Sequence, residues 1–320
     1  MGEPSKQLLK LAQKLFVDEG DRTAFIQALL VPSPFAPTLL WTKPQPVDLA
    51  WSVLPPLPWQ PPQVDRLAHD LRPGRHPLHA QGNYYCLDFS SVFAASLLQA
   101  ITEPIKVAID LCAAPGGKSL CAWVMLQPKQ LLCNEVIRKR VKILIANLKR
   151  CGVMEAIVLN QDPATLATHL PHSAQLVLVD APCSGQSLLA KGQDVPGCFH
   201  KVTLNRNANR QKRILAQAAQ LVESEGYLLY STCTYAPAEN EQVCQWFLKR
   251  FPDFQGIKVD ALASYQSHLT QLPCYRLWPQ SGLGAGAFAM LFRRHRGEQH
   301  PLNEEFLTQY QFKLRAGPLS

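Results

Sequence analysis

The chain has 320 residues, of which 47% are hydrophobic and 18% charged, a composition typical of a globular protein and not of a disordered one. Its 32 Lys and Arg against 24 Asp and Glu give a net charge of +8, which is compatible with a polyanionic partner but does not establish one. No apolar run approaches the roughly 18 residues needed to cross a bilayer, and the N-terminus has no apolar signal core. We therefore expect a cytoplasmic protein without membrane contact.

The ten cysteines are scattered along the chain, with no Cys-x-x-Cys pair and no His pairing at the spacing of zinc ligands. In a cytoplasmic protein such thiols stay reduced. We therefore expect neither a bound metal nor a disulfide framework. Each cysteine is then either a small core residue or part of a reactive site.

Residues 1–80 differ in composition from the rest of the chain. Apolar residues recur at helical spacing over residues 6–16, which predicts a short amphipathic helix. Twelve prolines follow between Pro32 and Pro77, and proline removes a backbone donor and restricts the residue before it. Three tryptophans in the same stretch indicate that it packs against something. We expect a small, irregular N-terminal accessory region with short strands at most; the alternative is a linker.

From about residue 88 the pattern changes to alternating strands and helices. Apolar runs predict five strands, at residues 107–110, 130–133, 156–159, 175–179 and 226–230. Alternating strands and helices predict an α/β domain with a mostly parallel sheet covered by helices on both faces. In such sheets ligands bind at the carboxyl ends of the strands. We therefore expect one α/β domain over residues 81–296 and a C-terminal tail over residues 297–320.

The first three predicted strands are each followed by polar or glycine-rich residues. Asp110-Leu-Cys-Ala-Ala-Pro-Gly-Gly-Lys118 follows the first, and its two glycines permit a tight turn that brings the backbone close to a ligand. This is neither a dinucleotide fingerprint nor a P-loop, and a plain strand-to-helix turn is the simpler alternative. Glu135 and Asp162 follow the second and third strands, where carboxylates could accept from ribose hydroxyls or an adenine amino group.

Two cysteine motifs follow the fourth and fifth predicted strands. The segment Asp180-Ala-Pro-Cys-Ser-Gly185 places Cys183 three residues after a carboxylate. The segment Ser231-Thr-Cys-Thr-Tyr235 places Cys233 at the neighbouring strand end. A buried, inert cysteine is the usual alternative. Two thiols and a carboxylate at a ligand-binding edge indicate chemistry instead.

These motifs resemble those of the Sun/Fmu-type RNA (cytosine-5)-methyltransferases. The likeness covers roughly residues 81–296 and extends past the second cysteine to Pro237, Glu239, Asn240 and Glu241. It implies a Rossmann-like, S-adenosylmethionine-dependent fold that methylates C5 of a cytosine in RNA, with ribosomal RNA favoured over transfer RNA. We expect such an enzyme to act as a monomer.

The resemblance also implies roles for individual residues. It assigns the cofactor to the loop after the first strand and to three carboxylates, namely Cys112, Ala113, Ala114, Pro115, Gly116, Gly117, Lys118, Glu135, Asp162 and Asp180. It makes Cys233 the nucleophile and Cys183 the cysteine that releases the product, and Asp180 is placed to hold the base edge. A free thiol is only a few per cent ionised near neutrality, so Cys233 needs surroundings that lower its pKa.

The residues that contact RNA are less clearly marked. Residues 200–213 contain five Lys or Arg and no Asp or Glu, and we take Lys201, Arg206 and Arg210 as candidates for phosphate contact. A solvated basic face is the alternative. Family members usually continue after the first cysteine motif with a second glycine and basic residues, whereas Gln186-Ser-Leu-Leu-Ala-Lys191 follows here.

Three other functions remain open at this point. Enzymes that methylate an exocyclic amine normally have a Pro-Pro-aromatic loop without a thiol. DNA cytosine methyltransferases place the nucleophile in the Pro-Cys loop, which predicts an adduct on Cys183. The third is a catalytically weak RNA-binding or ribosome assembly factor that retains the methyltransferase fold, for which Cys233→Ala would change nothing in the cell.

Overall fold

The computed structural model describes residues 3–46 and 49–312, so that parts of the predicted accessory region (1–2 and 47–48) and tail (313–320) lie outside the described residues. The strands in chain order are β1 (Thr38–Trp41), β2 (Val64–Arg66), β3 (Tyr84–Leu87), β4 (Val107–Asp110), β5 (Gln130–Asn134), β6 (Ile157–Leu159), β7 (Ala174–Asp180), β8 (Val222–Thr232), β9 (Phe254–Gly256), β10 (Cys274–Leu277) and β11 (Ala287–Arg294). The helices are α1 (Lys6–Leu15), α2 (Glu19–Leu30), α3 (Pro77–Ala80), α4 (Phe89–Ser96), α5 (Gly117–Leu126), α6 (Arg138–Arg150), α7 (Pro163–His169), α8 (Lys201–Leu221), α9 (Glu241–Arg250) and α10 (Glu304–Tyr310). In the part of the chain that the structure describes, no helix is both long and apolar enough to span a membrane.

A central sheet has the strand order β10-β11-β8-β7-β4-β5-β6, with β9 paired to β11. Strands β4 to β8 run parallel to their neighbours, and β11 and β10 are antiparallel additions at one side. This confirms the prediction of a mostly parallel sheet. All five predicted strands belong to it, and β8 begins four residues earlier than its apolar run indicated.

Successive residues of the central strands point to opposite faces of the sheet, as strand geometry requires. Ala108 of β4 packs with apolar residues of α4, α5 and α6, whereas Ile109 packs with those of α7, α8 and α9. Leu178 and Val179 of β7 divide between the two faces in the same way. Helices therefore cover both faces, as predicted, and the carboxyl ends of the parallel strands remain free to carry a site.

The N-terminal region is more ordered than its prolines indicated. Strand β1 pairs with β2 and with β3 in a three-stranded antiparallel sheet, and because β3 follows residue 80, the packing of this region extends beyond the predicted boundary. Helices α1 and α2 pack against the 3-10 helix Gln186–Lys191 and the segment after Cys233, where the Phe25 and Tyr235 rings meet edge-on at 5.0 Å. The accessory region thus supports the loops that carry the cysteines.

The predicted tail is also packed where the structure describes it. Phe306 and Leu307 of α10 are buried in the α7–α9 face of the core, and the Phe306 ring stacks on His169 at 4.5 Å. The division of the chain at residues 80 and 296 stays a prediction.

Candidate active site

A cavity of about 740 Å³ lies at the sheet edge where the predicted motifs meet. Its lining includes these predicted site residues: Cys112, Ala114, Glu135, Asp162, Asp180, Cys183, Arg210 and Cys233. A second cavity of about 180 Å³ adjoins it, shares Cys112, Ala114 and Asp180 with it, and is lined in addition by Ala113, Pro115, Gly117 and Lys118. The four strand-end motifs and the loop after β4 therefore surround one connected space.

The loop after β4 is shaped by a buried carboxylate that the sequence analysis did not assign. Asp110 accepts hydrogen bonds from Cys112 N (3.1 Å) and Ser119 Oγ (2.6 Å), and burial raises its pKa to about 7. Gly116, the N-cap residue just before α5, adopts φ +117°, a conformation that favours glycine. The loop therefore presents its backbone to the cavity in a fixed shape.

One end of the main cavity combines a carboxylate with exposed apolar side chains. Glu135 is 3% exposed, and its Oε1 accepts from Ile137 N at 2.9 Å. No described group donates a hydrogen bond to the buried Oε2, which has only the ion pair with Arg140 Nη1 at 3.1 Å. Val136 and Ile137 line the same wall although they are 53% and 44% exposed. A buried acceptor beside unpartnered apolar surface is suited to a ligand with hydroxyl groups and a flat ring.

The two predicted cysteines meet at the other end of the cavity. The Sγ atoms of Cys183 and Cys233 are 3.2 Å apart, and Cys233 is the more exposed of the two. With Cys183 as the donor, this hydrogen bond lowers the pKa of Cys233, an effect to which the charge of Lys118 adds and which loss of hydration and Asp180 oppose. The same contact, together with burial, raises the pKa of Cys183 well above its ordinary value. Cys233 is therefore the thiol that ionises first.

Asp180 sits between the thiols and the loop after β4. Its Oδ2 lies 2.7 Å from Lys118 Nζ, and its Oδ1 accepts from Ser231 Oγ at 2.9 Å. Lys118, which the resemblance assigned to the cofactor loop, thus points to the carboxylate beside the cysteines. Asp162 instead caps α7 through Ala164 N at 2.9 Å while lining the main cavity.

A buried glutamate fixes the two cysteine loops relative to each other. Glu239 is fully buried, and its carboxylate accepts from Ser184 N (3.0 Å), Ser184 Oγ (2.5 Å) and Gln211 Nε2 (2.9 Å). Ser184 Oγ also lies 2.7 Å from Thr234 Oγ1. Since Ser184 follows Cys183 and Thr234 follows Cys233, these bonds connect the residues next to both thiols.

Two glutamines, neither predicted as a site residue, extend this network. Gln211 of α8 donates to Pro182 O at 3.1 Å as well as to Glu239. Gln186 accepts from Tyr235 N at 3.0 Å and donates to Cys198 O at 2.9 Å. The departure from the family pattern at Gln186 therefore provides a buried link between the two cysteine loops. The family resemblance included Glu239 without giving it a role, and the density of small polar residues around the cysteines was the other sign of this network in the sequence.

The predicted RNA-contacting residues are all exposed on α8, but they do not share one face. At 3.6 residues per turn, Arg206, Arg210 and Arg213 lie within about 60° of one another around the helix axis, whereas Lys201 lies at least about 120° from each of them. Arg210 and Arg213 line the main cavity. Among residues 3–46 and 49–312, no three His, Cys, Asp or Glu side chains gather as a metal site.

The fold and the loops at the strand ends define a Rossmann-like methyltransferase class. The structural alignment with NSun6 from Pyrococcus horikoshii, solved with SFG, covers 92% of this chain and 99% of the NSun6 chain. The two sequences are 16% identical over it, and the TM-score is 0.75. A methyltransferase homolog protein from the same organism matches 91% and 100% at 21% identity, with a TM-score of 0.71. These similarities show the fold.

Sequence comparison identifies the family. The model of the 16S rRNA methyltransferase RsmB/F family matches residues 98–293, so the chain belongs to that family. Ribosomal RNA small subunit methyltransferase F of Vibrio parahaemolyticus is 30% identical over 272 residues, which cover 83% of this chain and 56% of the relative. The Vibrio vulnificus protein of that name is 32% identical over 221 residues, with 68% and 46% coverage. The chain spans about half the length of the curated relatives it matches. Membership confirms the resemblance seen in the motifs.

The hydrogen bond between the thiols predicts how Cys233 titrates. Alkylation of Cys233 by iodoacetamide, followed by peptide mass spectrometry across pH, should have its midpoint below that of an ordinary thiol, about pH 8.5, because the lowered pKa makes thiolate available at lower pH. Cys183→Ala should move that midpoint upward, since the largest cause of the shift is lost. An unchanged midpoint in the variant would contradict the assignment of Cys183 as donor.

Glu239→Gln should loosen the contact between the thiols with almost no change in volume. The amide oxygen can accept from Ser184 N and Gln211 Nε2, but the NH2 group then faces Ser184 Oγ, which has to give up the hydrogen bond that it donates to the carboxylate. The Cys233 alkylation midpoint should therefore rise toward that of Cys183→Ala. Glu223→Gln is the matched control: Glu223 is 7% exposed at the far end of β8, accepts from Gln299, and should leave the midpoint unchanged. If Glu239→Gln and Glu223→Gln had the same Cys233 alkylation midpoint, Glu239 would not position the thiols.

Proposed function

We propose that this chain is an RNA methyltransferase that transfers a methyl group from S-adenosylmethionine to C5 of a cytosine, through a covalent bond between Cys233 and C6. The observation that carries the proposal is the pair of thiols 3.2 Å apart, beside Asp180, on a cavity that also reaches Glu135 and Asp162. The names of the relatives support ribosomal RNA over transfer RNA as the substrate. A reaction on ribosomal RNA would take place in the cytoplasm.

The donor set of the cavity fits S-adenosylmethionine. The buried Oε2 of Glu135 is available for ribose hydroxyls, and Val136 and Ile137 offer apolar surface to an adenine ring. Asp162 would accept from the adenine amino group, and the backbone from Cys112 to Gly117 would approach the amino acid part. When bound, S-adenosylmethionine supplies an electrophilic methyl group. The solved NSun6 with SFG, an analogue of this cofactor, supports the same choice.

The two cysteines would act at different steps of the reaction on the cytosine. C5 of cytosine is a weak nucleophile until a group adds to C6, and the more exposed Cys233, with its lowered pKa, is suited to that addition. Cys183, whose pKa is raised, stays a protonated thiol next to it. A water that Cys183 positions would accept the C5 proton, or Cys183 itself would do so after losing its own proton to solvent; the C5–C6 double bond then re-forms and Cys233 leaves C6 as a thiolate. Asp180, held by Lys118 and Ser231, would contact the amino edge of the base.

The surroundings of the two thiols favour this scheme over that of the DNA cytosine enzymes. A nucleophile in the Pro-Cys loop requires Cys183 to be the reactive thiolate, whereas Cys233 is the more exposed thiol and has the charge of Lys118 near it, while Cys183 has the carboxylate of Glu239 near it. A noncatalytic assembly factor would have no need for two thiols in contact beside a cavity.

The exposed arginines of α8 are the proposed phosphate contacts. Helix α8 has no acidic residue over its 21 positions, and Arg210 and Arg213 border the cavity that holds the thiols. Arg206 lies on the same side of the helix, which makes a line of positive charge leading to the site. The position of Lys201 around the helix places it outside this line, so its predicted role is the weakest of the three. That the protein acts as a monomer stays a prediction.

Alanine variants of the two cysteines should fail at different steps. Cys233→Ala should abolish methyl transfer while cofactor binding remains, because the thiol that adds to C6 is lost. Cys183→Ala should accumulate a covalent protein–RNA species that survives a denaturing gel, because release is slowed. Adducted peptide mapping on RNA that contains 5-azacytosine should find Cys233.

Two results would contradict the scheme: turnover by Cys233→Ala at a substantial fraction of the wild-type rate, or an adduct mapped to Cys183. Cys244→Ala serves as the matched control, since Cys244 is a fully buried core thiol of α9. It should change stability and leave the adduct pattern as in the wild type.

Loss of two cavity arginines should weaken RNA binding in a salt-dependent way. Each phosphate contact contributes about 0.7 to 0.9 to the slope of log affinity against log salt concentration, so Arg210→Met with Arg213→Met should lower the slope by about 1.4 to 1.8. Arg250→Met, an exposed arginine on α9, should leave it unchanged. If the double variant had the same slope as the wild type, Arg210 and Arg213 would not contact the RNA.

A further inference from the structure

A groove leads from the ion pair beside the cysteines to the proline-rich N-terminal segment. The lining of the second cavity includes Lys118 and Asp180 together with Leu87, Asp88 and Lys191. These last three residues also line a third hollow of about 520 Å³, whose far wall is the segment from Pro32 to Pro37. The two hollows are therefore consecutive parts of one path across the surface.

The midpoint of this groove carries a half-buried pair of opposite charges. Lys191 Nζ lies 2.9 Å from Asp88 Oδ2, with 33% and 13% of the two side chains exposed. Burial opposes ionisation of Asp88, but Lys191 and the hydrogen bonds from Ser90 outweigh it and lower its pKa. The groove thus presents an ionised acceptor next to a donor.

Both members of the pair are held by secondary structure. Asp88 caps α4, its Oδ1 accepting from Ser90 N at 2.8 Å. Lys191 ends the 3-10 helix Gln186–Lys191, which follows the Cys183 loop and packs against α2. The pair therefore stands at a fixed position relative to the cysteines. The groove would give a function to the segment Gln186–Lys191, which departs from the family pattern, and to part of the N-terminal region. The methyl transfer reaction itself does not explain either of them.

We propose that this groove is a subsite for the nucleotide next to the target cytosine, and that Asp88 and Lys191 form hydrogen bonds with the edge of its base. This inference rests on the proposed function. A cytosine that reaches Cys233 has left its stack, which also exposes its neighbour. Unstacked bases in RNA are bound by apolar surfaces and by hydrogen bonds to their edges. Phe35, Pro34 and Leu87 supply the apolar wall, and the charged pair supplies an acceptor and a donor.

The position of the groove fits a strand that passes through the site. The arginines of α8 border the main cavity, and Asp88 and Lys191 lie beyond Asp180 in the second one. A strand held by phosphate contacts at α8 would bring the target base to Asp180 and its neighbour to the charged pair. Asp88 would accept from N–H groups on the base edge, and Lys191 would donate to the neighbouring ring nitrogen or carbonyl, so the subsite favours guanine, whose N1–H and N2–H both face a carboxylate while O6 accepts from the ammonium.

A randomised substrate tests this directly. RNA hairpins with one loop cytosine and random neighbours would be incubated with the protein and S-adenosylmethionine, and the methylated cytosines read by bisulfite sequencing. The wild type should favour guanine at one of the two neighbouring positions by about 5- to 150-fold, the range for a base recognised through a bidentate contact. Asp88→Asn keeps the helix cap, and Lys191→Met keeps the aliphatic stem; each should relax that preference.

The controls separate this inference from the function on which it rests. Lys249→Met, an exposed lysine on α9, should keep the wild-type preference. Methylation with no neighbour preference, or with a preference that both groove variants retain, would overturn the subsite and leave the proposed function standing. The absence of 5-methylcytosine in every sequence would contradict the proposed function, and the subsite with it.

Discussion

The arrangement of the site depends on one buried carboxylate. Glu239 receives three hydrogen bonds, two from the residue that follows Cys183 and one from α8, and it belongs to the loop that carries Cys233. Burying a carboxylate is costly unless donors surround it, so the loops can close around Glu239 only in a geometry that supplies them. That geometry brings the two thiols to 3.2 Å, and the hydrogen bond between them separates their pKa values.

A second buried charge anchors the same loop to the antiparallel side of the sheet. Glu241 accepts from Arg276 Nε and Nη2, both at 2.6 Å, and Arg276 Nη1 donates to Tyr235 O at 3.1 Å. Asn240 lies between the two glutamates and ties Thr232 to Thr234 around Cys233. The three polar residues that follow the cysteine motif thus each hold a different part of one loop. The added strands β10 and β11 therefore contribute to the site without carrying any of its chemistry.

The sequence was sufficient for the five parallel strands of the central sheet and for their ends, because apolar runs bounded by loops predict such strands and their order along the chain, but the predicted runs did not include β9, β10 and β11. It also placed Cys183, Cys233 and Asp180 together. It did not predict β1 to β3, because β1 and β3 pair across more than forty residues and each has only four. The pairing of Lys118 with Asp180 was equally unpredictable, since a lysine in a glycine-rich loop reveals the direction of its side chain only in three dimensions.

The most direct test of the account is a nucleoside analysis. Total RNA from cells that lack this gene would be incubated with the protein and isotope-labelled S-adenosylmethionine, digested and examined by mass spectrometry. The account predicts label in 5-methylcytidine, with the labelled RNA recovered in the ribosomal fraction. Label in a methylated amine, or in any other nucleoside, would contradict the role given to the two cysteines.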